Sequence, residues 1–449
     1  MANRRSRQYE LKKFDLTLRG GKTYDIRDLV VDFEYHESIE SAFLRCDITI
    51  IDAVDFNKGL EGAEIVEVIV ETKSAKGKPL SFKLKVFKIG SIIKSERGQM
   101  YILHCISEEA YNNELFKVFK SFGPMQGAKN VPNIPKHLCE KYLKAGKKVK
   151  AKYFEDHTNI NFISPSWKVT DAISYISDKI TRKKGGKGSE KQSGFLFFEN
   201  RNGFVFMSID KLAEGGVDGA ESFKYTLQQQ GTDPDDDGWY SIESVQYPDK
   251  ADHLRHMRLG TYKSIAVGIS LPKQTDTHVT SAGRNDQRGT VQQPKEIDYM
   301  GVFGKASKIE KDPPFIPPDD IKQAGPTRYH IRALPYMKNQ EGSGDPDAGT
   351  KSNIDTMQVA MYAAARYSLL KAVQITIVIP GNTALTAGQI ITTIIPASEQ
   401  VGESESGLVK EDKKYSGKYL IAGLTHMYSR EGITTTLVLT RDSYKQKVY

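Results

Sequence analysis

The stretch from Lys371 to Ser443 restricts the fold of this chain more than any other segment. It begins AVQITIVIP after Lys371, turns at Gly381-Asn382 and again at Leu385-Thr-Ala-Gly388, and continues as QIITTIIP. After a polar gap it resumes as Lys418-YLIAGLTHMYS and Gly432-ITTTLVLTRDS. Apolar and polar residues alternate along these runs, the period of a strand with one buried face. A helix-like stretch from Met357 to Val373 leads straight into them. The pattern predicts a helix feeding a small antiparallel barrel. It contains one histidine, His426, and no cysteine. His426 alternates with Leu424, Ala422 and Leu420, which puts it on a barrel face and not in a reactive cluster. Such a segment acts through how it is stacked and joined to others.

The chain has 449 residues, enough for two to four domains. Hydrophobic residues make up 39% and charged residues 27%, ordinary for a somewhat polar globular protein. The basic N-terminus lacks the apolar run of a signal peptide. No segment reaches the roughly 18 apolar residues of a spanning helix, because Pro380, Gly381, Asn382 and Gly388 break the longest candidate. Three cysteines, Cys46, Cys105 and Cys139, are too few and odd in number for a disulfide framework and point to a reducing compartment. Cys46 shares a strand face with Leu44, Ile48 and Ile50 and reads as a small buried hydrophobe. Net charge is +8 and the pI is about 9.0, which permits an acidic partner without identifying one. The cationic excess gathers in two places, seven lysines from Lys136 to Lys152 and the segment after Arg182.

Residues 8 to 108 read as one strand after another with glycine-rich turns, about six strands and one domain's worth. Phe82, Leu84 and Val86 on one face, with Lys83 and Lys85 on the other, show the alternation clearly. The texture changes near residue 109. Prolines at 124, 132 and 135 precede a short helix around His137 to Gly146, and a second helix follows Pro165-Ser-Trp167 with a stripe of Ala172, Ile173, Ile176 and Ile180. Phe195 to Ile209 then forms a hairpin through Asn202-Gly203. Strand character returns at Trp239-YSIESVQ. Residues 270 to 355 are rich in Pro, Gly, Asp, Gln and Lys and read as a loop-dominated insertion with some short strands, closed by the helix 356–372.

No constellation specifies chemistry. Asp233-Pro-Asp235-Asp-Asp237-Gly238 begins like a calcium loop, but position 12 is Ser244 and the flank after Trp239 is strand-like. The Lys184-GGKGSEK run lacks phosphate-loop spacing and follows a helix instead of a strand. His253 and His256 lie three apart with Arg255 and Arg258 around them and no third ligand nearby. No Ser/His/Asp or Cys/His pairing stands in a supporting motif. No catalytic residue, cofactor or metal ligand is therefore expected.

Several of these pieces occur in a telling order: Pro165-Ser-Trp-Lys-Val-Thr-Asp-Ala-Ile173, then Val373 to Ile391 with Leu385-Thr-Ala-Gly388, then Gly417-Lys-Tyr419-Leu-Ile421 through Leu439, with Gly62-Ala63-Glu64 as an equivalent turn near the start. The order resembles the central baseplate hub protein of contractile-tailed bacteriophages, whose relatives occur in contractile injection machines. The resemblance implies a mainly β fold with α+β insertions, built from two tube-type antiparallel β-barrels and two accessory domains. The implied domains are 8–118, a first barrel; 119–221, an α+β unit; 222–265 with 370–449, a discontinuous second barrel; and 266–369, a loop-rich insertion with the closing helix. Gly62, Trp239, Gly388, Gly417, Tyr419 and His426 would be structural residues of the barrels.

The resemblance further implies a homotrimer whose six barrels ring a channel. Such a ring presents pseudo-sixfold symmetry to a hexameric tail tube or tube-initiator protein and threefold symmetry to a trimeric spike. Baseplate wedge proteins would surround it, DNA would pass through it, and it would be made in the host cytoplasm and reside in the virion tail. Departures from the family pattern concentrate in residues 270–355. Two other readings follow from context and charge: a tail-associated peptidoglycan hydrolase, and a basic nucleic-acid-binding module using the 136–152 and 182–191 lysines.

Overall fold

A computed structural model of the chain describes residues 7–72, 79–96, 98–123, 131–160, 162–183, 192–218, 223–227, 240–247, 254, 257–258, 262–270, 295–298, 303–304, 306–314, 328–334, 356–397 and 411–446. Trp239, the Asp233–Gly238 run, Lys184–Lys191, His253 and His256 lie outside the described residues.

Seven strands form the first half: β1 (Tyr9–Thr17), β2 (Thr23–Asp25), β3 (Val30–Ser38), β4 (Arg45–Asp52), β5 (Ile65–Thr72), β6 (Leu80–Ser95) and β7 (Gly98–Ile106). They lie in the order β2-β1-β5-β6-β7-β4-β3, antiparallel throughout. Strict alternation explains their common inner face. Phe14 and Leu16 of β1, Val66, Val68 and Val70 of β5, and Cys46, Ile48 and Ile50 of β4 are all fully buried. Each such side chain contributes on the order of 1.5–3 kcal/mol of burial. Cys46 faces Cys105 across β4 and β7, both as free thiols.

An α+β unit follows. It comprises α1 (Glu108–Leu115), β8 (Val118–Phe122), α2 (Ile134–Leu138), β9 (Val149–Phe154), β10 (Phe162–Trp167), α3 (Val169–Ser177), β11 (Phe195–Asn200), β12 (Gly203–Ser208) and α4 (Ile209–Gly215). The Asn133 side chain caps α2 by accepting from the Lys136 amide, and Ser208 caps α4 by accepting from Lys211. Of the predicted stripe, Ala172, Ile173 and Ile176 lie on α3 and Ile180 just beyond its end, and all four are completely buried. In the β11–β12 hairpin the two turn residues are Arg201 and Asn202, and Gly203 opposes Asn200. Glycine is required at 203 because φ is +125° and a Cβ would lie 2.2 Å from the Lys148 carbonyl oxygen.

The second half starts with β13 (Lys224–Leu227), β14 (Ser241–Ile242) and β15 (Ser244–Gln246). It breaks for a small sheet of β16 (Lys263–Ser270), β17 (Lys295–Asp298) and β18 (Arg328–Leu334). It resumes after α5 (Thr356–Leu370) with β19 (Val373–Pro380), β20 (Ile390–Ile394), β21 (Gly417–Ser429) and β22 (Gly432–Arg441). The run after Trp239 joins the C-terminal strands: Ser244, Val245 and Gln246 pair with Val378, Ile377 and Thr376. β16 straddles the boundary expected at 265/266 and pairs only with β17 and β18.

Among the described residues the strands of the two halves are hydrogen-bonded into one 14-stranded sheet, seven strands from each half, and no closed barrel is present among them. The reason lies in how strand edges are used. β3 does not return to β1 to close the first half. It pairs instead with β21 over six positions, from Gly423–Ser38 to Tyr428–Phe33. The second half comes nearest to closure at 241–246, where β14 binds β13 and β15 binds β19 on either side of Glu243. Antiparallel pairing, expected throughout, holds for β19 to β22, but β13 runs parallel to both β14 and β20. One hydrophobic core runs under both halves, and a second lies beneath the α+β unit.

Candidate functional site

Where the two halves and the α+β unit meet, the central group is Glu37, near the end of β3. Its Oε1 accepts from the Arg201 amide and the Tyr35 hydroxyl, each at 2.8 Å, and its Oε2 accepts from the Ala387 amide at 2.8 Å. One carboxylate thus ties β3 to the β11–β12 turn and to the Leu385–Gly388 turn. Burial pushes its pKa up to about 7, against the pull of those three donors and the more distant charge of Arg201. The Arg201 guanidinium donates to the carbonyls of Thr383 and Pro79.

Two of the residues singled out from sequence belong to this junction. Gly388 has φ +86°, and a Cβ there would come within 2.5 Å of Val217 Cγ2 and 2.9 Å of the Phe198 ring. Its amide donates to Ile421 and its carbonyl accepts from Val217, which stitches the turn to β21 and to the end of α4. His426 lies on β21 opposite Tyr35, their rings stacked, and its Nδ1 is 2.8 Å from the Thr435 hydroxyl. Burial, reinforced by Arg201, holds its pKa down to about 3, so the ring is neutral. The Thr435 hydroxyl also accepts from the Asn382 amide.

Gly417 and Tyr419 sit at a different place. Gly417 has φ +132° with Glu310 Oε1 and Arg441 Nη1 both within 3 Å of where a Cβ would lie. The buried Arg441 guanidinium stacks 4.3 Å from the centre of the Tyr419 ring and donates to the carbonyls of Ser416 and Lys414. Gly62 stands apart from both. It has φ +87° in the turn before β5, where Glu64 accepts from the amides of Glu61 and Gly62.

A third polar cluster was not foreseen. Arg366 of α5 is fully buried between Asp442 at 3.3 Å and Asp210 at 3.5 Å, and it donates to the Ser307 carbonyl. Asp210 also accepts from the Ser307 amide and Asp442 from the Ile309 amide, so the 307–309 segment is bound at both ends. Burial raises the Asp210 pKa while Arg366 opposes that shift. The cluster joins α4, α5 and the end of β22.

The lysine-rich stretch is largely committed within the chain. Lys148 bonds Glu109 and Glu199 at 2.7 Å each, Lys152 bonds Asp218, Lys136 approaches Glu140, and Lys144 and Lys150 lie over Phe116 and Tyr153. Burial opposes the charge of Lys148, but the two glutamates outweigh it and raise its pKa. Burial likewise raises all three cysteine thiols above their ordinary range. Among the described residues no group of three or more His, Cys, Asp or Glu is arranged to hold a metal, and no helix is long and apolar enough to cross a membrane.

Solved structures similar to this chain include two tail proteins and a component of the type VI secretion system. A tail protein from Neisseria meningitidis MC58 aligns over 97% of both chains at 13% identity with a TM-score of 0.49. The 43 kDa tail protein of prophage MuSo2 from Shewanella oneidensis aligns over 97% of this chain and 100% of its own at 10% identity and TM-score 0.49. An E. coli component of the type VI secretion system, described as structurally similar to bacteriophage T4 tail proteins, aligns over 97% and 76% at 10% identity and TM-score 0.39. No protein-family model and no curated protein matches the sequence.

Proposed function

We propose that the chain is a non-enzymatic structural subunit of a contractile tail, the hub of its baseplate. In this reading three copies form a ring, and each copy contributes two tube-type units, the seven-stranded halves. The ring offers six similar units to a hexameric tube and threefold symmetry to a trimeric spike, with wedge proteins outside and a channel for DNA or effector within. The virion tail is its location.

The observation that best supports this reading is the division of the sheet into seven and seven strands. The second set is assembled from two distant segments, 224–246 and 373–441. A duplicated unit inside a threefold oligomer is the simplest route to pseudo-sixfold symmetry. Projection images of the purified protein test it. A threefold ring with six lobes is expected, and a stable monomer by light scattering at high concentration, with the spike present, would overturn it.

A further inference from the structure

The second half is held together at 241–246 by its shortest ladders. β14 meets β13 at two positions and β15 meets β19 at three, with Glu243 between them. The Glu243 amide adds one bond, to the Val378 carbonyl. Ladders this short are the parts of a sheet that open first. The seam they make is also a root. Beyond β15 the chain leaves the large sheet for β16, β17 and β18 and rejoins it at β19. Whatever holds the seam therefore holds one stem of the insertion.

The start of the chain reaches this seam from the other half. Arg7, just ahead of β1, points two prongs at the Glu243 carboxylate, its Nε donating to Oε1 at 3.2 Å and its Nη2 to Oε2 at 2.7 Å. The route is fixed at two further points. The Tyr9 hydroxyl donates to the Ser429 carbonyl at 3.0 Å, and its ring stands edge-on to that of Tyr428 with 5.4 Å between centres. The Arg7 carbonyl then crosses the β21–β22 turn so closely that a Cβ at Gly432 would lie 2.5 Å from its oxygen. A forked guanidinium–carboxylate contact fixes direction as well as distance. The Glu243 side chain is only 15% exposed, so the pair is screened less than an ordinary surface bridge. β1 does not depend on this contact, being paired with β5 from Tyr9 to Thr17 and with β2 at its far end. The seam is the weaker partner and the one that the fork steadies.

We propose that residues 7–9 are a strap and that the Arg7–Glu243 fork is its ionic latch: the latch holds the 241–246 seam shut, and breaking it frees the seam and the stem of the insertion while the rest of the sheet stays folded. Hydrogen exchange read by mass spectrometry on the full-length protein tests this, using Arg7→Gln, Glu243→Gln and the double variant. In Arg7→Gln, exchange in the peptide spanning 240–247 should speed up about fivefold while peptides from β5 and β22 keep the wild-type rate. The double variant should fall short of the two single effects combined, because both remove the same latch. An unchanged seam in Arg7→Gln, fully additive effects in the double variant, or a rise in β5 equal to that in the seam would overturn the latch.

Discussion

At the scale of single residues, two buried ionisable groups lie either side of Tyr35 and respond to acid in opposite directions. Glu37 has a pKa raised from 4.5 to about 7, so the folded chain binds its proton more tightly than the unfolded chain does. Its contribution to stability is fully present below pH 4.5 and declines as pH rises through 7, by roughly 3 kcal/mol in all. His426, held at about 3 from 6.5, works the other way: the unfolded chain takes up the proton first, and stability falls as pH drops below 6.5. Urea unfolding of Glu37→Gln across pH 4–8 should lose the decline between pH 4.5 and 7 that is specific to the wild type, whatever its mean stability. A slope equal to that of the wild type would mean that Glu37 is not the titrating group. Gly388→Ala combines a left-handed backbone with a clash on Val217 and should cost about 2–4 kcal/mol, read as a lower urea midpoint. Turn glycines such as Gly62, Gly388 and Gly417 were legible because the chain writes them locally. Glu37 and Arg366 were not, since their partners lie far away in sequence. The only local sign of Arg366 was a lone cation in an alanine-rich apolar helix.

At the scale of elements, β22 is bounded by β19 on one edge and β21 on the other, so every amide along its middle serves one ladder or the other. Thr435→Pro removes one such donor, and with it the hydroxyl that meets His426 and Asn382. The loss should be about 3 kcal/mol or more, and native gel or light scattering should show failed assembly. Unchanged assembly would contradict the position of β22. Strand identity was readable from period-two alternation, as in β5 and β19, and so was the stripe of α3. Pairing partners were not. Alternation tells which face of β3 is buried but is silent on whether its free edge meets β1 or β21. The parallel setting of β13 was equally invisible, because four residues carry no directional signal.

At the scale of the whole molecule, the shared core beneath both halves predicts joint unfolding. Phe14, Leu84 and Leu103 of the first half pack in the same cluster as Ile377, Leu424 and Leu437 of the second. Calorimetry should therefore give one cooperative transition for the 14-stranded sheet, with hydrogen exchange in β5 and β22 rising together. Two resolved transitions, one for each half, would show that the common core does not couple them.

The β3–β21 pairing has a mechanical consequence. Its six registered residue pairs run along the strand axis, with Phe33 stacked on Tyr428 at 4.2 Å. A pull directed along that axis loads the whole row of backbone bonds in shear at once, whereas a flexible tether between two domains would yield residue by residue. Under such a pull the two halves should give way together and not one after the other.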